Sequence, residues 1–168
     1  MLGFLPSLRS FGLTFTLFSA DWDSVSDEAR AACDCVFRIE SVKEVELESV
    51  FWFPVASLIS LARLKYLALA NVDIDKGFQD HESNLKPQRE VALEGLYLRG
   101  VAPGVIRTLT KTLRNSADAP PTLRKLALTP SFQDGFADAV VELIITCGSH
   151  LTSFAWLPSI HFRESTFY

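Results

Sequence analysis

The sequence lacks the residues and motifs that mark most metalloproteins, nucleotide-binding enzymes and hydrolases. Its three cysteines, Cys33, Cys35 and Cys147, are an odd number without the spacing of a disulfide framework or of zinc ligands. It contains no glycine-rich phosphate-binding loop and no G-x-S-x-G nucleophile turn. We therefore expect no bound metal, no cofactor and no catalytic residue, and a reducing compartment, the cytoplasm or the nucleus.

Positive charge and long apolar runs are also scarce. Lys and Arg number 16 against 20 Asp and Glu, so the net charge of -4 argues against a nucleic-acid partner. No uncharged apolar run reaches the roughly 18 residues of a membrane-spanning helix. Residues 1–20 resemble a secretory leader, but Arg9 interrupts the apolar run and Phe18 is bulky for a cleavage site. We expect a first structural repeat there, with a signal peptide as the alternative.

Apolar side chains are what the chain has in abundance, at 48% of its residues, enough for a packed core. No linker-like stretch divides it, so we predict a single domain over residues 1–168. The polar stretch at 73–90 has almost no apolar stripe, and we expect a solvated surface loop there.

A short apolar pattern, with residues at its positions 1, 4 and 6, recurs six times at intervals of 22 to 34 residues. Positions 4 and 6 are two residues apart, so in a β-strand they point to the same face. The six copies are Leu8, Phe11, Leu13; Val42, Val45, Leu47; Leu64, Leu67, Leu69; Leu93, Leu96, Leu98; Leu123, Leu126, Leu128; and Leu151, Phe154, Trp156. Val50, Val72 and Val101 extend three copies by a further apolar residue at position 9.

Helical periodicity marks most of the connecting segments. A helix is predicted over residues 26–37, with Ala29, Ala32, Cys33, Val36 and Phe37 on one stripe and Ser24 with Asp27 as a capping box. A short helix is expected from Pro54 to Ala62 and a longer one from Pro103, with Val105, Ile106, Leu109 and Leu113 on one side. The clearest runs from Phe136 to Cys147 and has Gly148 at its C-cap.

Alternating strands and helices predict an α/β fold. The apolar pattern is typical of the strand half of a leucine-rich repeat, so we predict a leucine-rich-repeat-like solenoid of about six strand-helix repeats with a parallel sheet on its concave face. The outward strand positions are then the candidate surface for binding another protein, since an acidic strand is followed by aromatic and basic residues. These positions are Glu44, Glu46, Glu48, Tyr66, Tyr97, Arg99, Lys125, Ser153 and Leu157.

Several strings resemble the leucine-rich-repeat regions of fungal F-box-type proteins. They are LPSLRSFGL, SVKEVELESVFWFPVASLISLARLKYLALANVDI and PPTLRKLAL, with Trp22 before a helix and the run from Val42 to Pro54. In that family an F-box module recruits a ubiquitin-ligase adaptor, and the repeats recognise the substrate. The resemblance thus implies substrate recognition for ubiquitination. We expect an adaptor contact only if an F-box precedes Met1.

Two alternatives remain open at this point. One is a hydrolase whose site is assembled from the non-local residues His81, His150 or His161. The other is a truncated repeat fragment without independent function, whose terminal repeats expose apolar edges.

Overall fold

The structure is a computed structural model, and it describes residues 8–14, 20–53, 63–73, 93–115 and 122–157. The predicted helix at 54–62 and the predicted surface loop beyond Asp73 lie outside these ranges. In the described ranges no helix has both the length and the apolar character needed to cross a membrane.

The described residues form eight β-strands, six of which make one sheet. In chain order they are β1 (Ser10–Thr14), β2 (Ala20–Asp21), β3 (Glu44–Glu48), β4 (Val50–Phe51), β5 (Tyr66–Ala70), β6 (Gly95–Arg99), β7 (Lys125–Leu128) and β8 (Ser153–Trp156). The six-stranded sheet has the order β1-β3-β5-β6-β7-β8, and every pairing in it is parallel. The predicted parallel sheet is therefore confirmed. The short strands β2 and β4 pair in parallel with each other.

Equivalent positions of the apolar pattern lie side by side in this sheet. The register aligns Leu67 of β5 with Val45 and Leu96 on either side, and Leu69 with Leu47 and Leu98. Both rows point to one face, here called the leucine face, because side chains alternate along a strand. A slip by one residue would turn every one of these side chains to the opposite side of the sheet.

The backbone repeats a specific hydrogen-bond pattern at the start of each strand. One carbonyl accepts hydrogen bonds from two successive N–H groups of the next strand, as the Lys65 carbonyl does from Glu94 and Gly95 at 2.7 and 2.9 Å. The equivalent carbonyls are those of Arg9, Lys43, Lys65, Glu94 and Arg124. This recurrence fixes the register of every pairing in the sheet, since each strand is held at the same point of its repeat.

Two helices cover the leucine face as the sequence predicted. They are α2 (Pro103–Asn115) and α3 (Phe136–Cys147), named after α1 (Asp27–Phe37). The predicted stripe of α2 is fully buried, and most of the stripe of α3 is buried with it in one core cluster that includes the strand leucines. Each buried aliphatic side chain stabilises the fold by about 1.5–3 kcal/mol relative to exposure. Gly148 stands at the C-cap of α3 as predicted, but with a right-handed φ of -59°.

Helix α1 packs less deeply than predicted. Ala29 and Ala32 of its expected stripe are exposed, and no residue of the helix is fully buried. The helix contacts the core mainly through its C-terminal half, where the ring of Phe37 lies 5.6 Å from that of Phe11 and 6.0 Å from that of Phe53.

The N-cap of α1 also differs from the prediction. It is Ser26, whose Oγ accepts a hydrogen bond from the Ala29 N–H at 3.3 Å. Ser24 instead belongs to a short 3₁₀-helix (Trp22–Ser24), and its hydroxyl donates to the Asp21 carbonyl. Because Ser24 belongs to this 3₁₀-helix, it cannot cap α1. The predicted cap lies two residues before the observed one.

A left-handed residue follows each of three neighbouring strands of the six-stranded sheet. Ser49, Asn71 and Gly100 directly follow β3, β5 and β6 with φ of 60°, 52° and 59°. Left-handed backbone is costly for residues with a Cβ, and Gly and Asn adopt it most readily. The bend places the next residue, a valine in all three repeats, in the core.

The last strand departs from the predicted burial. Phe154 and Trp156 continue the two apolar rows, yet they are 46% and 51% exposed. Within the described residues β8 is the final strand of the sheet, so each of these side chains has a strand neighbour on one side only.

Helix α3 offers a matched test of the core. We expect Leu143→Ala, at 0% exposed, to lower the free energy of unfolding by about 2–5 kcal/mol, because it leaves a cavity under the leucine face. Ile145→Ala, two residues away and 75% exposed, should change it by less than about 0.5 kcal/mol. Urea denaturation of the two variants measures the difference, and equal losses would contradict the assigned helix face.

Two glycines should respond to alanine with opposite signs. Gly100→Ala forces a Cβ into left-handed backbone and 2.5 Å from Asn71 Oδ1, so we expect a loss of about 1–2 kcal/mol. Gly12→Ala places its Cβ in open space on β1 and should stabilise the fold by up to about 1 kcal/mol. Thermal unfolding compares the two, and a neutral Gly100→Ala would argue against the left-handed bend.

Candidate functional site: the outer face of the sheet

The side of the sheet opposite the helices, here called the outer face, carries the nine residues predicted for partner binding. They are Glu44, Glu46 and Glu48 on β3, Tyr66 on β5, Tyr97 and Arg99 on β6, Lys125 on β7, and Ser153 and Leu157 at β8. They share this face because they occupy the strand positions between the core residues.

The structure brings only part of this set together. Glu46, Glu48, Tyr97 and Arg99 surround one depression in the outer face, with a volume of about 190 Å³. Glu44, Lys125 and Ser153 occupy one row nearer the start of their strands. Leu157 follows β8 and contacts an apolar cluster in the middle of the face.

Small residues form the floor of this depression. Ala68 and Ala70 of β5 lie between the acidic strand β3 and the strand β6 that carries Tyr97 and Arg99. Sequence reasoning missed both alanines, although their pattern was readable: alanine also occupies the middle outward position of β7 and β8, at Ala127 and Ala155. Short side chains between longer ones create the depression. We call it the sheet-face depression, lined by Glu46, Glu48, Ala68, Leu69, Ala70, Tyr97 and Arg99.

Tyr97 is more enclosed than a residue predicted as an exposed binding contact. It is 6% exposed and packs between Ala68 and Ala127, with Tyr66 beside it. Burial raises the pKa of the Tyr97 phenol, and the neighbouring Tyr66 adds to the shift. Tyr97 is therefore a rigid wall of the depression.

Gly95 gives Tyr66 its position. A Cβ at Gly95 would lie 2.6 Å from Cδ1 of Tyr66, so the tyrosine ring lies directly over this glycine on the adjacent strand. No larger residue leaves that space without moving the ring.

An ion pair spans one end of the depression. Arg99 Nη2 lies 2.5 Å from Glu48 Oε1, and both side chains are partly buried. The two residues are two strands apart, with Ala70 between them in the same row. The pair forms because alanine leaves the path between them open. At this exposure it contributes about 1 kcal/mol or less to stability.

The acidic strand keeps uncompensated charge beside this pair. Among the described residues, no cationic side chain forms an ion pair with Glu44 or Glu46, and Glu46 is exposed. Another ion pair joins Lys65 Nζ to Glu94 Oε1 at 2.5 Å, directly before β5 and β6.

The Lys65–Glu94 pair is reflected in the acidity of both groups. The hydrogen bond from Lys65 lowers the pKa of the Glu94 carboxyl, and the hydrogen bond to Glu94 raises the pKa of the Lys65 ammonium. Tyr66 donates a long hydrogen bond, 3.5 Å, to the second Glu94 oxygen. This edge is thereby neutralised, which leaves Glu44 and Glu46 as the anionic part of the face.

No cysteine or histidine of the described residues lines the depression. Cys147 is buried on α3, and burial raises the pKa of its thiol to about 11. His150 is exposed in the turn after α3, and His81 and His161 lie outside the described residues, so the hydrolase alternative stays a sequence-based prediction. Within the described ranges, no three His, Cys, Asp or Glu side chains converge as a metal site would require.

Comparison with known proteins returns no protein-family model, no curated protein and no solved structure that matches the chain. What the outer face does has to follow from its own residues. Pockets for drug-sized molecules have volumes of roughly 300–1,000 Å³. At about 190 Å³, the sheet-face depression is smaller than such pockets.

The reactivity of the three cysteines tests how deeply each thiol is buried. At pH 8 a thiol with a pKa of about 11 is ionised in only ~0.1% of molecules, so Cys147 should react with iodoacetamide far more slowly than the exposed Cys35. Cys33 should be intermediate, because partial burial, assisted by Asp34, raises its pKa. Peptide mass spectrometry gives the order, and urea should abolish it. Modification of Cys147 as fast as Cys35 in the folded protein would contradict its burial.

Proposed function

We propose that the chain is a leucine-rich-repeat-like solenoid that binds another protein through the outer face of its sheet and has no catalytic role. Three recurrences support the solenoid: the same register in every pairing, the same shared carbonyl at each strand start, and the left-handed residue after three strands. In solenoids of this kind each repeat contacts its neighbours, and the exposed sheet becomes an extended binding surface.

The observation that carries the binding role is the sheet-face depression. A purely structural outer face would present polar side chains to water, whereas this one buries Ala68, Tyr97 and Ala127 in a second apolar cluster. Rigid aromatic side chains next to small ones and ringed by charge are typical of interface centres. The depression thus offers shape as well as charge.

Charge on the outer face is arranged so that it can orient a partner. Glu44 and Glu46 on β3 give one side a negative character, and the exposed Lys125 on β7 lies on the other side of the tyrosines. Complementary charge increases the association rate and disfavours the reversed orientation. A partner with a basic segment toward β3 fits this arrangement.

The resemblance to F-box-type proteins supplies a more specific version of the proposal, in which the captured protein is a substrate for ubiquitination. Its support is the quoted strings, together with Trp22 and the run from Val42 to Pro54. An F-box module encoded in frame upstream of Met1 would favour this version.

Charge reversal on the acidic strand tests the proposed function. We expect Glu44→Lys with Glu46→Lys to abolish partner capture and leave the melting temperature nearly unchanged, because both side chains point away from the core. The measurement is quantitative mass spectrometry of proteins retained by the immobilised chain from an extract of the cells that express it.

A charge-matched control separates the surface from the net charge. Asp34→Lys with Asp134→Lys makes the same change in charge at exposed sites on α1 and before α3. Capture should survive in this control. If the protein with both glutamates reversed folds normally and still captures the same partner, the outer face is not the binding surface.

A further inference from the structure

We propose that the sheet-face depression receives one basic side chain, arginine or lysine, from the partner, and that Glu46 binds its cation. The inference rests on the proposed function, because it names the chemistry that the outer face recognises.

The shape of the depression favours a long, slender side chain. Its floor is Ala68 and Ala70, and one wall is the enclosed ring of Tyr97. The aliphatic stem of arginine or lysine packs well on such apolar surface while its charged head stays near water. A branched or aromatic side chain fills the same volume but leaves the carboxylates at the rim without a partner.

The charge of the depression favours a cation over an anion. Glu46 lines the depression and is exposed, and no described cationic side chain pairs with it. Glu44 lies two residues earlier on the same face of the strand, ~7 Å away by the rise of a β-strand, and adds to the negative potential. An incoming carboxylate would face both glutamates and would have to displace Glu48 from Arg99.

The chain's own Arg99 shows how a guanidinium binds at the rim of this depression. Arg99 extends over Ala70 and places its Nη2 against Glu48, at the end of the depression away from Glu44. A partner's basic side chain over Ala68 would repeat that contact one row earlier, with Glu46 in place of Glu48. In this arrangement Arg99 competes with the partner's cation for the carboxylates of the depression. Removal of Arg99 should therefore strengthen binding of the partner's side chain.

A peptide titration tests it on the intact chain. The probes are three capped pentapeptides, acetyl-Gly-Ser-X-Ser-Gly-amide, in which X is arginine, its neutral isostere citrulline, or glutamate. The signals are the ¹³C-labelled methyl groups of Ala68 and Ala70 on the floor, followed by NMR. We expect saturable shifts of both methyls with the arginine peptide, and none with the other two. The shifts should weaken in 1 M salt, where charges are screened within about 3 Å.

Three variants then separate the roles of the residues. Glu46→Gln should weaken binding of the arginine peptide about two- to fivefold, the range of an exposed ion pair. Arg99→Ala should tighten it by a similar factor, because it frees Glu48 and widens the depression. Asp34→Asn removes the same charge as Glu46→Gln at an exposed site on α1, away from the outer face, and should leave the affinity of the arginine peptide nearly unchanged. The alanine methyl spectrum reports whether each variant is folded.

Each outcome decides the question. Equal shifts with arginine and citrulline, no response to the arginine peptide, or unchanged affinity in the exposed-site variant Glu46→Gln would overturn the inference. Weaker binding in a folded Arg99→Ala protein would overturn it as well. If the peptide fails while partner capture still depends on Glu44 and Glu46, the inference is wrong and the proposed function stands. If capture is insensitive to those glutamates, the proposed function fails independently.

Discussion

The parallel register between neighbouring strands determines both faces of the described sheet. Each strand is held at the same point of its repeat by a carbonyl that accepts two N–H groups from the next strand. This alignment stacks Leu67 on Leu96 and Leu69 on Leu98, so the buried rows under the helices are continuous. A displacement of one residue would bring the leucines to water and the glutamates into the core, at a cost far above the 5–15 kcal/mol that stabilises an ordinary domain.

The same register builds the outer face, because it decides which side chains become neighbours. It places Ala70 between Glu48 and Arg99, so that the two charged groups meet across a strand. It also sets Gly95 beside Tyr66, which lets the ring lie over the sheet. The depression is thus a product of small residues next to large ones in a fixed row. Its shape and its lining follow from the alignment that holds the core.

The parts of the fold that the sequence predicted are those with a strong period. The triplets gave the strands and their order, and α2 and α3 have wide apolar stripes that leave one packing choice. The start of α1 was harder to predict, because Ser24 and Ser26 are both suitable N-cap residues. The 3₁₀-helix before α1 includes Ser24 and leaves Ser26 as the cap. The contact between Arg99 and Glu48 joins residues 51 positions apart, so it was not predictable before the register was known. The role of Ala68 was not predictable either, because an alanine forms a depression only where longer side chains flank it on the neighbouring strands. The left-handed bends did leave a sequence pattern. Ser49, Asn71 and Gly100 occupy the same position of three repeats, and Asn and Gly are common in left-handed backbone.

Scalar couplings transmitted through hydrogen bonds test the alignment most directly. In solution NMR, the Lys65 carbonyl should couple to the amides of Glu94 and Gly95, and the Glu94 carbonyl to those of Arg124 and Lys125, as the shared acceptors require. Couplings from the Lys65 carbonyl to amides at the far end of β6 would mean antiparallel strands. That result would remove the leucine face, the outer face and the depression together.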